Sequence, residues 1–291
     1  MPAATAQPLV WDSCAEWLDT GDAPTARCAR FAVPGDWDAA ADPQAAQAHL
    51  AVIRVPAQGK RLGILMMNPG GPGVSAVEFV RDFIAHTPNS PLLQHFDIVG
   101  FDPRGVGFSE PGLDCLTDSE RDALRRDPQV DYSPAGVTHI EDQRRRFVQA
   151  CLDHMGAAFL SSMSTATTAR DMDALRAILG EEQITYVGMS YGTMLGIIYG
   201  EMFPDRVRAA LLDGVEDPHI DPIADDIAQD AAFQQAFDAF ARTCTEQPDC
   251  PLGADPARSV GRFHDLIDPL VSQPARTEDS RGLGYSDVIA A

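Results

Sequence analysis

Gln183-Ile184-Thr185-Tyr186-Val187-Gly188-Met189-Ser190-Tyr191-Gly192-Thr193 is a β-rich run that ends in a Gly-x-Ser-x-Gly pentapeptide and opens directly into a helical pattern. A serine on so sharp a strand-to-helix turn takes strained backbone angles, and Gly188 and Gly192 let neighbouring backbone come close with no Cβ in the way. The turn presents the Ser190 hydroxyl outward. The helix that follows, expected from Tyr191 to about Phe203, brings unpaired N–H groups and a positive dipole end to the same place, which favours an oxyanion there. By itself the pentapeptide also occurs as a plain glycine-flanked turn. The strand before it and the helix after it are the context that makes Ser190 a candidate nucleophile.

Upstream, Leu62-Gly63-Ile64-Leu65-Met66-Met67 is a continuous apolar run of the length expected for a strand buried on both faces. It leads into Asn68-Pro69-Gly70-Gly71-Pro72-Gly73, a turn whose glycines allow main-chain N–H groups to point into a site; its plainer reading is a connecting loop. Where a Gly-x-Ser-x-Gly turn lies downstream on a parallel sheet, a Gly-Gly loop after an earlier strand is where a second oxyanion donor is expected. Phe96-Asp97-Ile98-Val99-Gly100-Phe101 reads as a further buried strand, followed by the turn-rich Asp102-Pro103-Arg104-Gly105-Val106-Gly107-Phe108-Ser109, which Asp102 and Arg104 are expected to brace. His49 to Val55 alternates as a strand near the sheet's edge, and Val207 to Leu212 is another strand. Helices are expected over about Thr138 to Met155 and Thr167 to Leu179. Strands alternating with helices imply an α/β fold, with a mostly parallel sheet and helices on both faces. The expected organisation is an irregular N-terminal layer over 1–48, an α/β core over 49–221, and the start of a helical cap over 222–291, where Ile227, Phe233, Phe237 and Phe240 recur at helical spacing.

The chain has 291 residues, room for one large α/β domain or for one domain and the start of a second. With 22 basic against 43 acidic side chains the net charge is −21, which argues against nucleic-acid partners and gives no pull toward anionic membranes. Arg144-Arg145-Arg146 spreads around a helix and is expected to be solvated or paired. No apolar run approaches the roughly 18 residues that span a bilayer. Met1 to Gln7 lacks the basic start and apolar stretch of a signal peptide, so export would imply a leader outside these residues. The six cysteines allow fifteen connectivities. None forms a Cys-x-x-Cys pair and no histidine cluster accompanies them, so no metal site is expected, and no cofactor is called for. An even count in a Pro/Gly-punctuated chain favours disulfides and an oxidising compartment over buried thiols.

Taken together and in this order, Asn68 to Gly73, Phe101 to Ser109, Gly188 to Thr193 and Leu212-Asp213-Gly214-Val215 resemble the proline iminopeptidase and secreted tripeptidyl aminopeptidase branch of the α/β-hydrolases, over roughly Cys14 to Gly253. The resemblance implies serine-dependent removal of short peptides from free N-termini, with oxyanion N–H donors at Gly71 and Tyr191. It also implies export, since secreted members are similar in an N-terminal cysteine pair. With local spacing, it implies the pairs Cys14–Cys28, Cys115–Cys151 and Cys244–Cys250. Glu216 and Asp217, just beyond a strand end, are candidates to receive a substrate ammonium, or simply begin a loop.

The chain departs from that family in its histidines. The family's acid and histidine follow the nucleophile on two later strands, whereas here His219 and His264 are the histidines that follow Ser190. His219 precedes any acid-bearing strand, and His264 reads as an exposed position on an amphipathic helix. The expectation is therefore an N-terminal part of a hydrolase, whose missing strands, Asp and His come from a further C-terminal polypeptide. Two other classes stay open: an ester hydrolase of carboxylesterase or lipase type with the same turn and loop, and an inactive fragment or pseudoenzyme.

Overall fold

The computed structural model describes residues 8–18, 25–40 and 46–290; Met1 to Gln7, read above for a leader, lie outside them. Among the described residues seven strands form one sheet: β1 (Asp12–Ser13), β2 (Arg27–Pro34), β3 (Gln47–Val55), β4 (Gly63–Asn68), β5 (Phe96–Phe101), β6 (Ile184–Met189) and β7 (Val207–Asp213). Their order is β1-β2-β3-β5-β4-β6-β7. Pairing is antiparallel from β1 to β5 and parallel through β5, β4, β6 and β7. The parallel half carries the serine turn.

The burial of β4 explains its unbroken apolar sequence. Flanked by two strands and covered on both faces, it is buried at every position. Ile64 and Met66 face one core with Val99, Phe101, Met172, Leu175, Leu195 and Tyr199. Leu65 and Met67 face the other, with Ile98, Val77, Val80 and Ile84. The alternation of strand side chains thus feeds two layers of helix. The first is covered by Thr165–Ile178 and Tyr191–Met202, the second by Ala76–His86. Each fully buried aliphatic side chain contributes about 1.5–3 kcal/mol.

Two expectations need correction. The segment 1–48 is not irregular throughout, because β2 pairs with β3 over eight residues and buries Cys28, Ala29, Phe31 and Val33. Its pattern is weak because Arg27 and Arg30 interrupt a run of small residues. For the same reason β3 is not near an edge: β2 covers one side and β5 the other. At the opposite end, β7 is the edge strand, with Ala209, Ala210 and Leu211 exposed.

The chain forms two compact units, the first of Met1–Asp114 with Met155–Pro218, the second of Cys115–His154 with His219–Ala291. The excursion over 115–154 therefore groups with the C-terminal helices and not, as the 49–221 core implied, with the sheet. Within the second unit the helix Asp118–Arg126 is tied to Tyr285–Ala290 by Arg125, whose Nε lies 2.6 Å from Asp287 and whose Nη2 donates to the Gly282 carbonyl at 2.9 Å. Arg145 of the arginine triplet pairs with Glu141 and Asp142 on its own helix. In the helix Pro222–Cys244, Phe237 packs against Phe263 at 5.4 Å, whereas Ile227, Phe233 and Phe240 are exposed. The three cysteine couples are joined as disulfides, Cys14–Cys28 in the first unit and Cys115–Cys151 and Cys244–Cys250 in the second.

Candidate active site

Ser190 sits between β6 and the helix Tyr191–Met202 with φ 51° and ψ −128°, in backbone space that an L-residue enters only when the surroundings hold it there. Three contacts do so. The Ser190 N–H donates to the Asp213 carbonyl at the end of β7 (2.9 Å), and the Ser190 carbonyl accepts from both the N–H and the hydroxyl of Thr193 (2.7 Å each). Thr193 is fully buried. Strain of this kind costs on the order of 1–3 kcal/mol, offset here by the two strands that the turn bridges. A Cβ on Gly188 would lie 2.3 Å from the Gly192 carbonyl oxygen, and one on Gly192 would lie 2.6 Å from that of Asn68, so both glycines are needed for the close packing of the turn. Tyr186, buried beneath, donates to the Gly192 carbonyl at 2.7 Å; burial, with a smaller contribution from Tyr191, pushes its phenol far up and keeps it a donor.

The glycine loop after β4 lies against this turn. At Gly70, with φ 98°, a Cβ would fall 2.5 Å from the Met189 carbonyl oxygen, 3.0 Å from Ser190 Cβ and 3.1 Å from the Tyr191 nitrogen. The peptide carrying the Gly71 N–H therefore starts from a residue in contact with Ser190. Gly70's own N–H is taken by Asn68 Oδ1 at 3.0 Å. Gly70 is buried, whereas Gly71 to Val74 are exposed.

The loop is anchored at its far end by Asp102. Ser75, the N-cap of Ala76–His86, donates its hydroxyl to Asp102 Oδ1 and Oδ2 (2.9 and 3.0 Å), and the Val77 and Phe108 N–H groups donate to the same carboxylate (3.1 and 2.9 Å). Burial pushes the Asp102 carboxyl above its usual range despite these donors. Arg104 makes a different brace: its guanidinium meets Asp171 through Nε and Nη2 (2.8 and 2.9 Å) and donates to the Pro34 and Gly35 carbonyls (2.6 Å each). Both partners are buried, and Trp37 Nε1 also donates to Asp171 at 2.8 Å. Sequence reading treated Asp102 and Arg104 as one turn brace. In fact Asp102 holds the glycine loop and Arg104 locks the 34–37 segment to the helix Thr165–Ile178. The Asn68 and Thr193 contacts were not anticipated, although both residues stand inside the quoted motifs.

Glu216 follows β7 and meets Ser190 directly. The Ser190 hydroxyl donates to Glu216 Oε1 at 3.0 Å, and the Glu216 N–H donates to Thr193 Oγ1 at 2.9 Å. Asp217, the next residue, is exposed. In the second unit His264 lies on the helix Ser259–Ile267, half exposed, with Nδ1 3.1 Å from Asp268 Oδ1. The second oxyanion candidate, Tyr191, begins the helix after Ser190, and its phenol hydroxyl lies 2.9 Å from Thr165 Oγ1.

The model of the alpha/beta hydrolase fold family matches residues 63–287. The chain is 47% identical over 291 residues to the serine protease Hip1 of Mycobacterium tuberculosis, covering 97% of this chain and 55% of that protein. It is 54% identical over 278 residues to carboxylesterase B of the same species (95% and 53%), and 38% identical over 220 residues to the tripeptidyl aminopeptidase of Streptomyces lividans (72% and 39%). The chain thus spans about half the length of the first two relatives. The tripeptidyl aminopeptidase relative agrees with the family resemblance read from the motifs. With its mixed sheet, its strand–serine–helix turn and a family match that begins at β4 and runs through that turn, the chain belongs to the alpha/beta hydrolase fold family.

Proposed function

We propose that this chain is the nucleophile-bearing part of a serine hydrolase that cleaves short peptides from free N-termini through an acyl-enzyme. The observation that carries the reading is the strained Ser190 turn packed against Gly70 of the glycine loop. In this scheme Ser190 Oγ attacks the scissile carbonyl carbon while an imidazole takes the hydroxyl proton. The Gly71 and Tyr191 N–H groups receive the oxyanion, each donor contributing about 3 kcal/mol. The tetrahedral adduct then breaks its C–N bond, the imidazole protonates the leaving amine, and water hydrolyses the serine ester. Glu216 and Asp217 supply the negative charge that receives a substrate ammonium.

The histidine and its acid are assigned to polypeptide beyond β7. Two observations support this: β7 is an edge strand with an exposed face, and the Ser190 hydroxyl is bonded to a carboxylate, not to an imidazole. A partner strand would pair with the free edge of β7. Export fits the three disulfides, which persist in oxidising compartments. The test is labelling of the full-length protein by a fluorophosphonate, followed by peptide mapping and assay on peptides with free and blocked N-termini. Modification at Ser190 and a requirement for the free amine are expected; labelling elsewhere would sink the assignment. Ester hydrolysis is the second reading, favoured by the carboxylesterase relative at 54% identity. Faster turnover of simple esters than of any N-terminally free peptide would select it.

A further inference from the structure

We propose that Asn68 is a positioning residue for the oxyanion site. Through its carboxamide oxygen and its main-chain carbonyl it holds the glycine loop against the first turn of the helix Tyr191–Met202, so that the Gly71 and Tyr191 N–H groups stand at a fixed separation before substrate arrives. This rests on the serine-hydrolase reading above and goes beyond it by naming what builds the hole.

Asn68 closes β4 and pairs with Gly188 of β6, beside the Ser190 turn. Strand alternation puts its side chain on the face of Ile64 and Met66, in the core that the helix Tyr191–Met202 covers. It is 4% exposed. A carboxamide at the end of an otherwise apolar buried strand is costly unless its polar atoms are used. Oδ1 accepts the Gly70 N–H at 3.0 Å, the turn in which an asparagine side chain bonds the backbone two residues on. Pro69 has no N–H to compete, so Gly70 offers the first donor after the strand.

The same residue also meets the helix of the other donor. A Cβ on Gly192 would lie 2.6 Å from the Asn68 carbonyl oxygen and 2.9 Å from Oδ1, and one on Gly70 would lie 3.1 Å from the Tyr191 nitrogen. Asn68, Gly70, Tyr191 and Gly192 therefore form a closed set of contacts. Gly70, Gly71 and Gly73 all have positive φ (98°, 112° and 108°), and glycines have many other conformations open to them. The bond from Asn68 selects one. It spends the Gly70 N–H and leaves those of Gly71 and Tyr191, which no hydrogen bond among the described residues takes. An oxyanion exists only once the carbonyl has been attacked, so a hole that drifts out of register lowers kcat and leaves substrate binding nearly untouched.

The test uses the full-length protein, with p-nitrophenyl butyrate as substrate, butylboronic acid as a former of tetrahedral adducts, and a fluorophosphonate to count reactive serines. Asn68→Ala and Asn68→Ser leave nearly the same space and differ by one oxygen, which in serine accepts from the N–H two residues on, more weakly than asparagine does. Per reactive serine, Asn68→Ala should lose about 100-fold in kcat, the cost of a misplacement of about 1 Å, with KM within about three-fold. Boronate affinity should fall by about the same factor, since the adduct carries the oxyanion's charge. Asn68→Ser should recover at least about ten-fold of the lost kcat. An undiminished kcat per reactive serine, a loss carried by KM, or equal kcat in the serine and alanine variants would overturn the inference and leave the serine hydrolase standing. Should neither variant fold, residue-resolved hydrogen exchange on the parent protein decides. The Gly70 amide should be protected without ligand; protection that appears only with boronate would show that Asn68 does not build the hole in advance. A parent protein that neither hydrolyses the ester nor labels at Ser190 would instead remove the reading beneath it.

Discussion

Ser190 Oγ and Glu216 Oε1 lie 3.0 Å apart, and the serine holding that contact has φ 51°. Position and strain therefore separate experimentally. Ser190→Ala removes the hydroxyl and keeps the strain, so turnover should fall by at least about 1,000-fold with little change in melting temperature. Ser190→Gly removes both. It should be inactive and more stable than Ser190→Ala by about 1 kcal/mol, because glycine enters this backbone region without a Cβ penalty. Thermal melts of the two variants side by side give the answer; equal stability would mean that the turn is not strained.

Asp102 reaches the reaction only through Ser75 and the glycine loop, so its loss should appear in kcat more than in KM. Asp102→Asn keeps the shape but turns an NH2 group toward donors that now lack an acceptor. A displacement of the loop by even about 1 Å is enough to cost about 100-fold in turnover. The expected result is a large fall in kcat with KM within a few-fold. A matching rise in KM with kcat preserved would place Asp102 in substrate binding.

Arg104 and Asp171 form a buried bidentate pair, and removing one partner leaves the other's charge without compensation. Asp171→Ala should therefore destabilise by about 3–5 kcal/mol, and also free Trp37 Nε1 from its acceptor. Replacing both with apolar residues should cost less than the sum of the single changes. Urea unfolding of the two single variants and the double variant tests this, and strict additivity would contradict it.

The parts of this molecule legible in sequence are those whose chemistry is local. The β4 run, the β6-turn-helix around Ser190 and the β5 strand each carry their period and their glycines within a dozen residues, so they were placed to within two residues of their observed bounds. The strand β2 was missed because its signal is its partner: Arg27 and Arg30 break the pattern, and pairing with β3 decides the conformation. The same holds at the site. Ser190, Gly70 and Gly71 stand in recognisable motifs, but the Ser190–Glu216 contact joins residues 26 apart and depends on where β7 ends. The anchoring of Ser75 by Asp102 joins residues 27 apart, and spacing does not encode it.

Asp97 makes the pH dependence of stability testable. Its carboxylate is buried, which alone would raise its pKa, but the Ala57 N–H (2.8 Å), Arg61 Nε (2.7 Å) and Arg54 Nη2 (2.6 Å) outweigh burial and hold it below the usual 3.8. A folded-state pKa below the unfolded one means that the charged form is favoured by folding. This contribution is fully present above the unfolded value and is lost as pH falls through 3.8 toward the folded value. Asp102, raised by burial, acts in the opposite sense, so the total curve mixes the two. Subtraction isolates Asp97. The difference in unfolding free energy between the parent protein and Asp97→Asn should be constant above about pH 5 and shrink as pH is lowered toward 3. Urea unfolding at half-unit intervals measures it. A difference that stays level or grows on acidification would show that the two arginines do not stabilise the Asp97 charge.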